Sequence, residues 1–259
     1  MNTRRLNHIF RPDGRTLIVA MDHTGIFGPG KGLEKPGETI KKIVAGGADA
    51  IMTSFGIARH FCSELAPVGL VLRADGAPTI IGPDEPAPIW FSIEEALRLG
   101  ADALCISAYP GSLDKELPSM EGLVSVTRDA HNWDLAVMAE MVPGGMNGGP
   151  EFITLDNIKL AARLGMEVGA DWVKVPYVEG FNQVINASYK PVVILGGKKR
   201  TDVDLLKEMR SAMDQGGSGG TIGRNIFEHD DPEAMTRALV AIIHDDASLD
   251  EAIAILGRK

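Results

Sequence analysis

Cysteine is scarce in this chain: Cys62 and Cys105 are the only two. One pair cannot build a disulfide framework, and both lie in apolar runs, which points to reduced thiols and a cytoplasmic protein. Excess positive charge is missing as well. The 26 Lys and Arg are outnumbered by 35 Asp and Glu, for a formal net charge of −9, so no basic field exists to hold nucleic acid. An anionic substrate would need a locally basic pocket. Long hydrophobic runs are also absent. Every apolar stretch falls well short of the roughly 20 residues of a membrane helix, so no membrane partnership is expected. The opening MNTRRLNHIF has arginines with no apolar stretch behind them, and no signal peptide is expected. The histidines at 8, 23, 60, 131, 229 and 244 show neither His-x-His nor His-Glu-x-x-His spacing. No zinc site, and no metal, is therefore expected. GPGKG at 28–32 lacks the spacing and the following Ser or Thr of a nucleotide loop.

What is present is ordinary globular composition, 44% apolar and 24% charged, over 259 residues. That length suits one α/β barrel. Near-continuous apolar runs alternate with helical patterns. The strand candidates span 16–23, 48–55, 69–76, 101–109, 135–142, 170–178, 191–197 and 219–225. Runs apolar on both faces suit parallel strands covered on both sides. Among the helices, Ser92 with Glu95 forms a capping box before a stop at Gly100. The segment 154–169 carries Leu155, Ile158, Ala162 and Met166 near helical spacing, and Asp231 caps a helix that opens on Pro232. The connection from the second to the third strand is the least legible. A Pro-rich loop, APTIIGPDEPAP, follows the third.

One phrase recurs. GADA stands at 47–50 and 100–103, GADW at 169–172 and a degenerate GSGG at 217–220, before every second strand. Glycine supplies a left-handed helix end and the next residues enter the sheet. Recurrence at alternate strands fits a closed barrel, whose alternate strands contribute equivalent layers. An open doubly wound sheet is the other arrangement. No linker or compositional break divides the chain, so residues 1–259 are read as a single (β/α)8 TIM-barrel catalytic domain.

Barrel chemistry sits at the C-terminal strand ends. The polar groups there are Asp22 and His23, Arg73 and Asp75, Ser107 and Tyr109, Glu140, Lys174, and the loops GGKK at 196–199 and IGRN at 222–225. Lys174 stands in the apolar run ADWVKVPYV. Burial disfavours the ammonium, and a neutral amine can form a Schiff base with a carbonyl. The plain alternatives are a lysine facing outward between helices or one paired with a core carboxylate. Loops after the seventh and eighth barrel strands often hold phosphate on backbone N–H groups. Gly196, Gly197 and Gly223 would let the backbone approach, and Arg224 could add a bidentate contact. Lys198 and Lys199 read as solvated, or as one charge facing a phosphate. Asp22 could act as a general base or simply bond loop amides.

Four phrases, AMDHTGIFGPGKGLE, WVKVPYVEGF, VVILGGKK and DQGGSGGTIGRNIFEHDDPEAM, resemble the DeoC/LacD-type class I (Schiff-base) aldolases along nearly the whole chain. That group holds archaeal-type fructose-bisphosphate aldolases and aminodideoxyheptulosonate synthases. The phrasing is nearest to the thiolase that processes phosphorylated autoinducer-2. The resemblance implies Lys174 as the Schiff-base lysine and Asp22 as its acid/base partner. It also implies Gly196, Gly197, Gly223 and Arg224 as a phosphate cradle, with His23 beside the substrate. It implies a small phosphorylated substrate, no metal or organic cofactor, and a ring-like homo-oligomer, often a decamer. One departure matters. The bisphosphate aldolases and heptulosonate synthases usually carry Tyr-Pro-Arg-Gly after the fifth strand, with the tyrosine as acid/base. Here Met141-Val142-Pro143-Gly144 stands there, and valine cannot transfer a proton. Glu140, His23 and Tyr177 are the substitutes within the sequence. The expected activity is aldol cleavage of a phosphorylated ketose. The rival is a thiolase passing an acyl group to coenzyme A as co-substrate. A non-catalytic sugar-phosphate-binding barrel would have no reason to keep a buried lysine.

Overall fold

Residues Thr16–Ala20 are buried at every position, because the strand they form has side chains on two apolar faces. Five more strands share this property, and the remaining two depart from it only at their last residue, Arg73 or Leu195. A computed structural model describes residues 4–76, 79–82 and 88–257. The strands are β1 Thr16–Ala20, β2 Ala50–Thr53, β3 Gly69–Arg73, β4 Ala103–Ala108, β5 Ala136–Met141, β6 Trp172–Val175, β7 Val192–Leu195 and β8 Gly219–Ile222. All neighbours pair in parallel, and β8 returns to β1 to close the barrel. Each strand lies inside one of the eight sequence candidates. The connection from β2 to β3, illegible in the sequence, consists of two short helices, Phe55–His60 and Cys62–Leu65. Part of the Pro-rich loop, 77–78 and 83–87, lies outside the described residues. Among the described residues, no helix is long and apolar enough to cross a membrane.

Alternation along each strand builds two cores. Leu17, Val19, Ile51, Leu72, Ile106 and Val173 face outward into the layer shared with the helices. Ile18, Ala20, Met52, Val71, Cys105, Met138 and Trp172 face into the barrel. Trp172 is fully buried near the N-terminal end, where Phe10 meets its ring edge-on with centroids 5.5 Å apart. The inward-facing series then turns polar. Two residues beyond Ala20, Val71, Cys105, Met138 and Trp172 stand Asp22, Arg73, Ser107, Glu140 and Lys174. A period of two carries the same face from an apolar floor to a charged rim.

The recurring Gly-Ala-Asp phrase has a double use. Gly47, Gly100 and Gly169 adopt φ of +90°, +77° and +104°, the left-handed region open to glycine. The aspartate two residues on then reaches the previous strand. Asp49, Asp102 and Asp171 accept the backbone N–H of Leu17, Leu70 and Val137 at 2.6, 3.0 and 2.9 Å. Each carboxylate also faces a cationic or histidine side chain: Arg11 and His244, His8, and His131 in turn. The fourth copy departs from the pattern. Its left-handed residue is Gly216, φ +92°, one position before the expected Gly217. Gly217 N–H bonds Ala212 O at 2.9 Å, as Ala48, Ala101 and Ala170 bond Ile43, Ala96 and Gly165, and Ser218 stands in the place of the aspartate. A second correction concerns Cys62, which is exposed rather than in an apolar run, while Cys105 is buried inside the barrel.

Candidate active site

The charged rim opens into a cavity of about 950 Å³ at the C-terminal end of the barrel. Asp22, His23, Arg73, Ser107, Tyr109, Glu140, Lys174, Lys198 and Arg224 all line it. The ladder aligns Ser107 with Glu140 and Glu140 with Lys174. These three inward-facing residues therefore sit at one height on adjacent strands. Lys174 is 5% exposed, and its Nζ lies 2.5 Å from Glu140 Oε1. The buried amine is thus both paired with a core carboxylate and presented to the cavity, so the two sequence readings are not exclusive.

Arg73 is the hub. Its Nε donates to Asp22 Oδ2 at 2.7 Å, and its Nη1 donates to Ser107 Oγ at 2.7 Å and to Asp75 Oδ1 at 3.2 Å. Its Nη2 donates to Glu140 Oε2. Asp75 Oδ2 accepts the Ser107 N–H at 3.1 Å. Charges removed from water persist only when paired and hydrogen-bonded. Burial alone would raise Asp22, but Arg73, His23 and Lys174 outweigh it and hold the carboxyl well below the usual range. Burial also raises Glu140, and Lys174 with Arg73 reverses that to about 2. At Asp75 burial wins and the carboxyl is raised despite Arg73. Burial, reinforced by Asp75, pushes the Tyr109 phenol well above its ordinary value.

The loops after β7 and β8 are tied to each other. Asn225 Nδ2 donates to Gly196 O at 2.9 Å, its Oδ1 accepts Arg200 N–H at 3.0 Å, and Arg200 Nη2 donates to Gly196 O at 2.8 Å. Arg200 and Asn225 therefore fix the shape of the loops, a role sequence reasoning missed although Asn225 closes the IGRN motif and Arg200 directly follows GGKK. Gly197 has φ +64°. Gly223 precedes the four-residue helix Arg224–Phe227, and a Cβ there would lie 2.6 Å from His23 Cε1. That glycine makes room for the histidine ring. Arg224 donates to Gly197 O at 3.1 Å, its guanidinium stands 5.9 Å from the Phe27 ring centroid, and its buried Nε has no partner among the described residues. His23 Nδ1 lies 3.3 Å from Asp22 Oδ1, with the ring edge-on to Phe227.

Two expectations separate here. Lys198 lines the cavity, whereas Lys199 Nζ is bonded to Glu228 O at 2.8 Å. Tyr177 does not reach the site: its hydroxyl meets Ser211 Oγ at 2.7 Å and accepts from Gln215 at 3.2 Å, against the helix Asp202–Asp214. Its place one residue off the inward series of β6 turns it away from the cavity. Among the described residues, no cluster of three or more His, Cys, Asp or Glu side chains is arranged to hold a metal ion.

A closed parallel barrel with a buried amine and a charged rim at its C-terminal mouth has the architecture of a barrel enzyme. Residues 16–229 match the family model described as DeoC/LacD family aldolase, and the chain belongs to that family. It is 37% identical over 259 residues, with 98% of this chain and 96% of the relative covered, to a 2-amino-3,7-dideoxy-D-threo-hept-6-ulosonate synthase of Halobacterium salinarum. It is 33% identical over 252 residues, covering 96% and 84%, to the 3-hydroxy-5-phosphonooxypentane-2,4-dione thiolase of Escherichia coli. Among solved structures it resembles an archaeal fructose 1,6-bisphosphate aldolase with its catalytic lysine bound to a carbinolamine intermediate. There the TM-score is 0.82 and the identity 30%, over 92% of this chain and 98% of that one. The protein is a class I, Schiff-base aldolase-family enzyme, a class that needs no cofactor for the carbon–carbon step.

Proposed function

We propose that this enzyme cleaves or forms a carbon–carbon bond in a phosphorylated keto substrate through a Schiff base on Lys174. The carrying observation is that Lys174 is buried at the cavity floor and paired with Glu140 at 2.5 Å. Lys198 also lines the cavity but is exposed. Glu140 holds the Lys174 nitrogen at the cavity floor, and the ammonium passes its proton to solvent as the substrate binds. The amine then attacks the ketone carbon, water leaves, and the iminium accepts the bonding pair when the C–C bond breaks. Asp22, held ionised by Arg73, supports the positive iminium and anchors the guanidinium. So depressed a carboxylate is a weak proton acceptor.

The loops after β7 and β8 serve as the phosphate cradle in this reading, with Gly196, Gly197 and Gly223 giving backbone approach, Arg224 adding charge and His23 beside them. The buried Arg224 Nε without a partner supports that role. Arg224→Ala is expected to remove a charge-assisted contact worth about 1.5–3 kcal/mol. Efficiency on a phosphorylated substrate should fall about ten- to hundredfold, with little change on an unphosphorylated analogue. Equal losses on both would make Arg224 structural.

Val142 favours a second reading. Where a tyrosine would serve an aldol reaction there is no proton-transfer group, which suits thiolytic transfer of an acyl group from a phosphorylated dicarbonyl to coenzyme A. A donor screen with phosphorylated ketoses and a phosphorylated dicarbonyl, with and without coenzyme A, tests both. Turnover of ketoses without coenzyme A is expected for the aldolase. Turnover confined to the dicarbonyl with coenzyme A would replace it with the thiolase.

A further inference from the structure

Forming an iminium from a carbinolamine needs a proton donor for the departing hydroxyl. Breaking the C–C bond needs an acceptor for the proton of the hydroxyl one carbon beyond. The rim carboxylates fill neither role well. Asp22 is engaged by Arg73, and Glu140 by both Lys174 and Arg73. His23 is three strands from β6 by way of β7 and β8, and its ring packs edge-on to Phe227 beside Gly223.

Two neutral hydroxyls remain on the inward face of β4, Ser107 and Tyr109, and of the two only the phenol, with an ordinary pKa of about 10, is acidic enough to give up its proton. The β4–β5 ladder ends at Ala108 opposite Met141, and Val142 N–H still donates to Ala108 O at 2.9 Å. Continuing that register sets Tyr109 across from Val142, one inward-facing step above the level of Ser107, Glu140 and Lys174. A substrate joined to Lys174 and extending toward the mouth occupies that step. The side chain is 7% exposed yet lines the cavity. The backbone is fixed from outside the barrel, Tyr109 N–H donating to Ser119 Oγ at 3.1 Å. Ser107, two residues earlier on the same inward face, accepts at its Oγ from Arg73 at 2.7 Å.

We infer that Tyr109 is the catalytic acid and base of the Schiff-base reaction, supplying from β4 the phenol that β5 lacks at Val142. This rests on Lys174 as the nucleophile. In dehydration the nitrogen lone pair forms C=N, the C–O bond breaks, and the hydroxyl leaves as water with the phenolic proton. In cleavage the C–C pair moves onto the iminium to give the enamine, and the hydroxyl on the adjacent carbon passes its proton to the phenolate as it becomes a carbonyl. Tyr109 is thereby restored, and no further reactant is required. Its raised proton affinity suits a group that must be protonated at the start.

The test uses dihydroxyacetone phosphate carrying ¹⁸O at its ketone. Reversible iminium formation washes the label into water, and borohydride traps the same intermediate on its lysine. Tyr109→Phe is expected to slow washout about 10²–10⁴-fold while the dissociation constant of the phosphorylated ketone changes less than about threefold, on the order of 0.6 kcal/mol. Val142→Tyr in that background, which returns a phenol at the facing register position, is expected to recover at least about tenfold of the loss, a tenfold step being 1.4 kcal/mol. Wild-type washout rates in Tyr109→Phe, with Lys174 still trapped, would overturn the assignment. So would a loss of affinity as large as the loss of rate, which would make Tyr109 a binding residue. Absence of trapping at Lys174 in the wild-type protein is a distinct result: it overturns the nucleophile, and the role of Tyr109 with it.

Discussion

Replacing Lys174 with methionine is expected to lower turnover by on the order of 10⁶-fold, the scale of deleting a covalent nucleophile, and to leave the barrel folded. Methionine has a similar length and is neutral, so the volume beneath the cavity stays filled. The partner left behind is Glu140, which keeps Arg73. Its carboxyl is now held at about 2 against the raising effect of burial by Lys174 and Arg73 together, and loss of the lysine should move it upward. Lys174→Met with Glu140→Gln removes both halves of the pair and is expected to be at least as stable as Lys174→Met alone. In the wild-type enzyme, borohydride with a ketose phosphate should add the mass of the substrate to the peptide that contains Lys174. Labelling confined to Lys198, which also faces the cavity, would overturn the assignment. Covalent mass on Lys174 together with full activity of Lys174→Met would make the adduct incidental.

Much of this arrangement was legible before any coordinates, because a period of two is visible in a strand sequence. The eight apolar runs located the eight strands, and Glu140 and Lys174 could each be assigned to a strand end. Their pairing could not, because it depends on how far one strand slides past the next when the barrel closes. The same limit concealed the position of Tyr109 opposite Val142. In the sequence Arg73 is only a polar residue on the third strand. Nothing in its local sequence shows that it bonds Asp22, Ser107 and Glu140, which come from three other stretches of chain, as well as Asp75 two residues on. The glycine accounts for only half of the recurring Gly-Ala-Asp phrase: the carboxylates of Asp49, Asp102 and Asp171 each hold the start of the preceding strand. Tyr177 failed as a site residue for a simple reason. It is odd-numbered, and the inward series of β6 runs through Trp172 and Lys174.

The other large effect falls on stability. Arg73→Met is expected to cost about 3–5 kcal/mol near pH 8, a fall in Tm of about 6–20 °C for a chain of this size, and the loss should shrink toward pH 5. In the wild-type protein Asp22 lies well below its ordinary value and Glu140 stands at about 2 against 4.5 unfolded. The stability these two contribute is complete above about pH 4.5; that of Glu140 is lost as pH falls toward 2, and that of Asp22 persists lower still. Between pH 5 and 8 they leave the profile flat. Without the guanidinium, Glu140 still has Lys174, but Asp22 loses its 2.7 Å bond and Asp75 its 3.2 Å bond. Asp75 is already raised by burial with Arg73 present. Burial without that charge should lift both carboxyls above their unfolded values. A carboxylate so shifted binds more protons folded than unfolded, so the variant loses stability as pH rises. Thermal unfolding of both proteins at pH 5, 6.5 and 8 should therefore show the gap in Tm widening with pH. A gap of constant size would mean that His23 and Lys174 alone keep the carboxylates ionised, and that Arg73 fixes their positions without setting their charge.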